Sequence, residues 1–138
     1  MASKSIKRFQ NYINGKFQFE SSKTLDVLNP YTEEKMAEIT ESNEKDVDNA
    51  VKAAKAAFSE WGKTSPQQRS LLFLKLADLI EKNKERMATI ESQNQGKTLA
   101  LAKTDIDFAI DNLRFFAGAC RTLQTQASGE YLNINKQP

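Results

Sequence analysis

Reactive side chains are few in this sequence, and their spacing excludes most reaction classes. Cys120 is the single cysteine and histidine is absent. Without imidazole the usual zinc sites and histidine-based triads are removed, and one thiol cannot form an internal disulfide. A nucleophilic thiol needs a cation or base that lowers its pKa. Cys120 instead falls on an apolar helical stripe with Leu113 and Ala117, where a thiol packs as a small hydrophobe. Asp105, Asp107 and Asp111 are close in sequence, and the last two share a helix face four residues apart. Such a pair could hold a cation or exchange protons, but acids at this spacing on a helix are expected to be solvated. The five glycines, Gly15, Gly62, Gly96, Gly118 and Gly129, are too scattered for a dinucleotide fingerprint or a P-loop. Gly96-Lys97 therefore reads as a helix stop rather than the tail of a phosphate loop.

The elements that would position these groups follow from apolar periodicity. A chain of 138 residues with 39% hydrophobic and 28% charged residues is an ordinary globular composition, long enough for one domain. Asn14-Gly15 lies between an apolar-rich segment and the alternating Phe17 and Phe19, which predicts a hairpin closed by a tight turn. Further strands are expected over 24–28, stopped by Asn29-Pro30, and over 35–40. Val47, Ala50, Val51, Ala54 and Phe58 then recur at helical spacing, with Ser42 or Asn43 available as cap. Ser65-Pro66-Gln67-Gln68 carries a capping box with proline at the first helical position. The helix it opens is expected to bury Leu72, Leu76, Leu79 and Ile80, with Leu71, Phe73 and Leu74 widening the stripe. A third helix follows the polar break at 82–84 and stops at Gly96, and a fourth runs from Leu99 to about Leu123. The expected fold class is α+β and helix-rich: an N-terminal β-hairpin and short strands followed by about four helices.

Twenty basic against eighteen acidic side chains give a net charge of +2, too small to point to nucleic acid. Lys4, Lys7 and Arg8 are assigned to a flexible N-terminal end, residues 1–8. The N-terminus has no continuous apolar stretch and no apolar run reaches membrane-spanning length, so a cytoplasmic chain without membrane contact is expected.

In order, Tyr12-Ile13-Asn14-Gly15-Lys16-Phe17, Leu28-Asn29-Pro30, the helix from Asp46-Val47 to Ala57-Phe58, Trp61, Arg69, the 76–81 segment, Asn94-Gln95-Gly96-Lys97 and Leu113-Arg114-Phe115-Phe116-Ala117-Gly118 resemble the opening of an aldehyde dehydrogenase. Each piece is weak, but the ordered set over residues 9–132 is specific. The wording at 114–118 and 129–132 is similar to the aminobutyraldehyde and betaine-aldehyde branch. The resemblance implies that residues 9–138 are the N-terminal segment of an NAD- or NADP-dependent enzyme, part of its coenzyme-binding domain, with an oligomerisation arm starting at 129–138. It also implies that the catalytic residues and coenzyme-binding loop lie beyond this segment, which alone is expected to be inactive and to bind no coenzyme. The remainder of the dehydrogenase chain and further copies of it are the implied partners. The resemblance places Asp105 and Phe108 beside the substrate tunnel, where an acid would favour the ammonium group of an aminoaldehyde. It further implies a monovalent cation site on main-chain oxygens of Val27, Leu28 and Asn94. The competing expectation is a non-catalytic helical interaction module that docks through surplus apolar surface at 71–80 and 115–116.

Overall fold

The computed structural model describes residues 6–18 and 23–122. They fall into two compact units, one reaching to Gly62 together with Gln93–Gly96, the other formed by Lys63–Ser92 and the stretch from Lys97.

The first unit begins with β1 (Lys7–Phe9) and the hairpin β2 (Asn11–Ile13) and β3 (Lys16–Gln18), followed by β4 (Thr24–Leu28) and β5 (Lys35–Thr40). The hairpin turns where it is expected to. Asn14 and Gly15 both take positive φ, 53° and 74°, as the twist of a two-residue hairpin loop requires. A separate sheet has the order β1-β5-β4, with β1 parallel and β4 antiparallel to β5. Lys7 and Arg8, assigned above to the flexible end, lie in β1 opposite Ala37 and Glu38. Between β4 and β5 the Asn29 side chain accepts from the amides of Tyr31 (2.9 Å) and Thr32 (3.3 Å), which fixes the turn that Pro30 begins.

Of the two candidate caps for α1 (Glu44–Gly62), Asn43 is the one used. Its Oδ1 accepts from the Asp46 amide at 3.0 Å, and Asp46 Oδ2 accepts from the Asn43 amide at 2.9 Å. Both groups of this reciprocal cap are thereby satisfied, and Asp46 can be 97% buried at low cost because its carboxylate is hydrogen-bonded (relative exposure 3%). The apolar stripe of α1 is not covered, since Val47, Val51 and Phe58 remain exposed.

The second unit is built from α2 (Pro66–Lys82), most of α3 (Lys84–Gln95) and α4 (Leu99–Thr122). The capping box at its start is formed: Ser65 Oγ accepts from the Gln68 amide at 3.2 Å, and Gln68 Oε1 accepts from the Ser65 amide at 2.8 Å. Ser65→Ala is therefore expected to lower stability by about 1 kcal/mol, read as a shift in the urea midpoint at unchanged slope. The buried face of α2 differs from the expected one. Ser70 and Ala77 are buried and Phe73 and Ile80 half-buried, while Leu72, Leu76 and Leu79 stay 49%, 45% and 57% exposed. On α4 the matching stripe is Ala102, Ile110 and Ala117, flanked by half-buried Ile106 and Leu113. Small residues on both helices let the two backbones approach closely, and this close contact, rather than the leucines, forms the core of the unit. Phe19, Leu123 and the arm expected at 129–138 lie outside the described residues. Among those described, no helix is long and apolar enough to cross a membrane.

Candidate functional site

The polar chemistry of the second unit concentrates where α3 gives way to α4. Gly96, at φ +70°, ends α3 as its sequence predicts. The chain then folds back so that Ser92 Oγ donates to the Lys97 carbonyl at 2.7 Å. The Lys97 ammonium donates to Glu91 Oε1 and to Asp105 Oδ2, each at 2.7 Å. Its pKa is raised, first by the hydrogen bond to Asp105 and then by that to Glu91. Asp105 is thus engaged by a cation, and Phe108, one turn further along α4, presents its ring to the outside at 70% exposure.

The other acids on α4 do not gather into a cation site. Asp107 receives the Lys84 ammonium on both carboxylate oxygens, at 2.5 and 2.6 Å, while Asp111 is exposed. No cluster of three metal-ligating side chains occurs among the described residues. Further ion pairs join α4 to the preceding helices: Arg114 to Glu81 at 2.7 Å and Asp78 at 3.5 Å, and Lys103 to Glu85 at 2.7 Å. These pairs are partly exposed, so they set register between helices more than they add stability. Cys120 is half-buried one step beyond buried Ala117, in the stripe expected for it.

The first unit holds the three residues implied as cation ligands. Val27 and Leu28 end β4, an edge strand, where the pairing with β5 slips between them. Asn94 belongs to the 93–96 segment of the same unit, and Gly96 packs so tightly on Pro30 that a Cβ there would lie 2.9 Å from Pro30 Cγ. The carbonyl-bearing end of β4 and the last turn of α3 are thus tied through one contact at the 29–31 turn. Elsewhere in this unit a shallow cavity of about 200 Å³ lies between Tyr12 of the hairpin and Val47 and Ala50 of α1. At its edge the Asn11 side-chain amide nitrogen is buried with no hydrogen-bond partner.

The comparison with known proteins decides the family. A family model described as "Aldehyde dehydrogenase family" matches residues 17–138. The chain belongs to the aldehyde dehydrogenase family. It is 44% identical over 111 residues, 80% of its length, to 2-aminomuconic semialdehyde dehydrogenase of Bos taurus, of which it spans 23%. The structure of an NAD-dependent aldehyde dehydrogenase from Sinorhizobium meliloti superposes with a TM-score of 0.82 at 36% identity, covering 88% of this chain and 25% of that one. Betaine aldehyde dehydrogenase from Staphylococcus aureus in complex with NAD+ gives 0.75 at 31% identity, covering 80% and 23%. The chain therefore spans about a quarter of the length of these relatives. Helices and short strands in this order match the N-terminal part of the aldehyde dehydrogenase fold.

The strand-to-helix connection that opens α1 in this aldehyde dehydrogenase segment is not shaped for a pyrophosphate. The strand-to-helix connection in the first unit, Glu41-Ser42-Asn43 between β5 and α1, has no glycine to let a backbone approach a pyrophosphate. Its first helix end is already closed by Asn43 and Asp46, whose negative side chain faces the amides a phosphate would need. Lys97 is the residue that pattern reading missed. Its partners lie across a turn, six residues back and eight forward, outside the three- and four-residue spacing by which helical pairs are recognised.

Proposed function

We propose that this chain forms the N-terminal part of an NAD(P)-dependent aldehyde dehydrogenase, which oxidises an aldehyde to a carboxylic acid with water as the oxygen source. The observation that carries the reading is the family match over 17–138, joined to a fold that covers a quarter of an NAD-dependent homologue. NAD or NADP would supply the hydride acceptor for this oxidation. None of the residues described here is assigned to that step. Their part is to shape and support. The α4 face with Asp105 and Phe108 lines the approach to the reacting carbon. Main-chain oxygens of Val27, Leu28 and Asn94 hold a monovalent cation, an arrangement supported by the edge position of β4 and the Gly96–Pro30 contact beside it. The exposed apolar face of α2, with Leu72, Leu76 and Leu79, is covered by the remainder of the enzyme, and the 129–138 segment opens the arm through which copies associate.

The test is the intact mass of the natural product from its source, together with aldehyde-dependent coenzyme reduction by that product. A mass several times 15.6 kDa with activity is expected, and the 138-residue chain alone is expected to be inactive. A natural product of 15.6 kDa would sink the proposal.

A further inference from the structure

We infer that Asn14 is a self-modification site: its side-chain amide cyclises onto the Gly15 main-chain nitrogen, and the hairpin tip ages to aspartate and isoaspartate. The attacking nitrogen must not be crowded by a side chain on its own residue, and glycine has none. Asn14 and Gly15 are both exposed, and nothing lies within 4 Å of the position a Gly15 Cβ would take, so the ring has room to close. Among the described residues neither the Asn14 side chain nor the Gly15 main-chain N–H is engaged in a hydrogen bond. Asn14 Cγ must swing onto the nitrogen, which requires the turn to open locally. That opening is cheap, because β2 and β3 are three residues each and pair only with one another.

The other described asparagines each lack one of these conditions. Asn29 precedes Pro30, whose nitrogen carries no hydrogen. Ser42 Oγ donates to Asn11 Oδ1 at 3.1 Å, Asn43 caps α1, and the side chains of Asn83 and Asn112 donate to the Leu79 and Phe108 carbonyls. Asn49 and Asn94 lie inside α1 and α3, where the following amide is a helix donor.

The chemistry balances with water as its sole co-reactant. The Gly15 nitrogen attacks Asn14 Cγ, the N–Cγ bond forms, the Cγ–Nδ2 bond breaks, and ammonia leaves with the proton of the Gly15 N–H. Water then opens the five-membered imide. Cleavage at Cγ leaves aspartate, and cleavage at the main-chain carbonyl carbon of residue 14 leaves isoaspartate, whose main chain runs through Cβ and Cγ. Either product adds one negative charge, which takes the net charge from +2 to +1. The isoaspartyl form also adds an atom to the main chain of a two-residue loop whose twist must match its strands. The pairing of Ile13 with Lys16 and the contact of the Tyr12 and Phe17 rings, 5.0 Å apart, are therefore lost in that form.

The experiment incubates the folded full-length protein containing this chain in warm neutral buffer, beside a synthetic peptide of residues 9–18. Isoaspartate is read by methyl acceptance from an isoaspartate-specific carboxyl methyltransferase. The site is read by mass spectrometry of the tryptic peptide 9–16, which carries Asn11 as an internal reference. Asn14 in the folded protein is expected to convert within about tenfold of the peptide rate, with Asn11 unchanged over the same interval. The rate is expected to rise with pH, since the attacking nitrogen must lose its proton. Asn14→Gly keeps a loop suited to the hairpin and is expected to abolish methyl acceptance. A folded-state rate more than about tenfold below that of the peptide means that the turn or the rest of the enzyme shields the site, and overturns the inference. Methyl acceptance undiminished in Asn14→Gly overturns it too, because the reaction then lies elsewhere. The rate comparison uses the unmodified protein and stands even if the variant folds poorly.

Discussion

Ala77→Leu is expected to destabilise the chain by about 3 kcal/mol, at the upper end of overpacking costs. The packing of α2 on α4 is a contact between small residues: Ala77 and Ala102 are 0% exposed and Ala117 is 1% exposed. Three added carbons at the centre of that contact have no void to enter, so they must push the helices apart or force strained rotamers on Phe73 and Leu113, which flank the same seam. Separation of the helices would also stretch the Arg114 pairs with Glu81 and Asp78, which join α4 to α2 at short range. The control is Leu76→Ala one residue away, a larger apolar deletion at an exposed position, expected to cost less than about 1 kcal/mol in this chain. Urea denaturation followed by far-ultraviolet circular dichroism reads both. Equal losses for the two variants would show that the leucine face, and not the alanine seam, is the packed side of α2.

That contrast also shows how far the letters carry. Local signals are legible because their physics is local: the positive-φ pair Asn14-Gly15, the Ser65 and Gln68 box, the Asn29-Pro30 stop and Gly96 each act through a few adjacent residues, and each forms as expected. The buried face of α2 is a different kind of quantity. A helix with leucines at 71, 72, 74, 76 and 79 is apolar over more than one face, and periodicity then points to the largest side chains. Closest approach between helices selects the smallest, so the observed seam runs through Ser70 and Ala77. The open leucines are those that the proposal assigns to contact with the rest of the enzyme. The same limit hides the Lys97 triad, which closes across a turn, and the Val27 and Leu28 carbonyls, because main-chain oxygens are common to every residue and only the edge position of β4 singles these out. The α4 acids are placed on their faces correctly by helical spacing, but the cations that engage two of them, Lys97 and Lys84, come from outside the helix.

Gly96→Ala carries the second large expected effect, a loss of about 3 kcal/mol. Two separate costs act at this position. The left-handed φ of +70° places any Cβ against the following carbonyl, which costs about 1–2 kcal/mol. The new Cβ would in addition lie 2.9 Å from Cγ and 3.6 Å from Cβ of Pro30, atoms of a ring that cannot swing aside as a flexible side chain would. Gly15 separates these terms, because it has nearly the same φ, +74°, but nothing within 4 Å of its Cβ position. Gly15→Ala is therefore expected to show the backbone cost alone, and the difference between the two variants measures the Pro30 contact. That contact links the last turn of α3, with Asn94, to the turn after Val27 and Leu28, so relief of the clash must move one of the proposed cation-binding segments away from the other. In the full-length enzyme potassium is accordingly expected to raise the Tm of the unmodified protein and of Gly15→Ala, but not of Gly96→Ala. Potassium stabilisation of equal size in both variants would separate the cation from the 94–96 corner and remove Val27, Leu28 and Asn94 as its ligands.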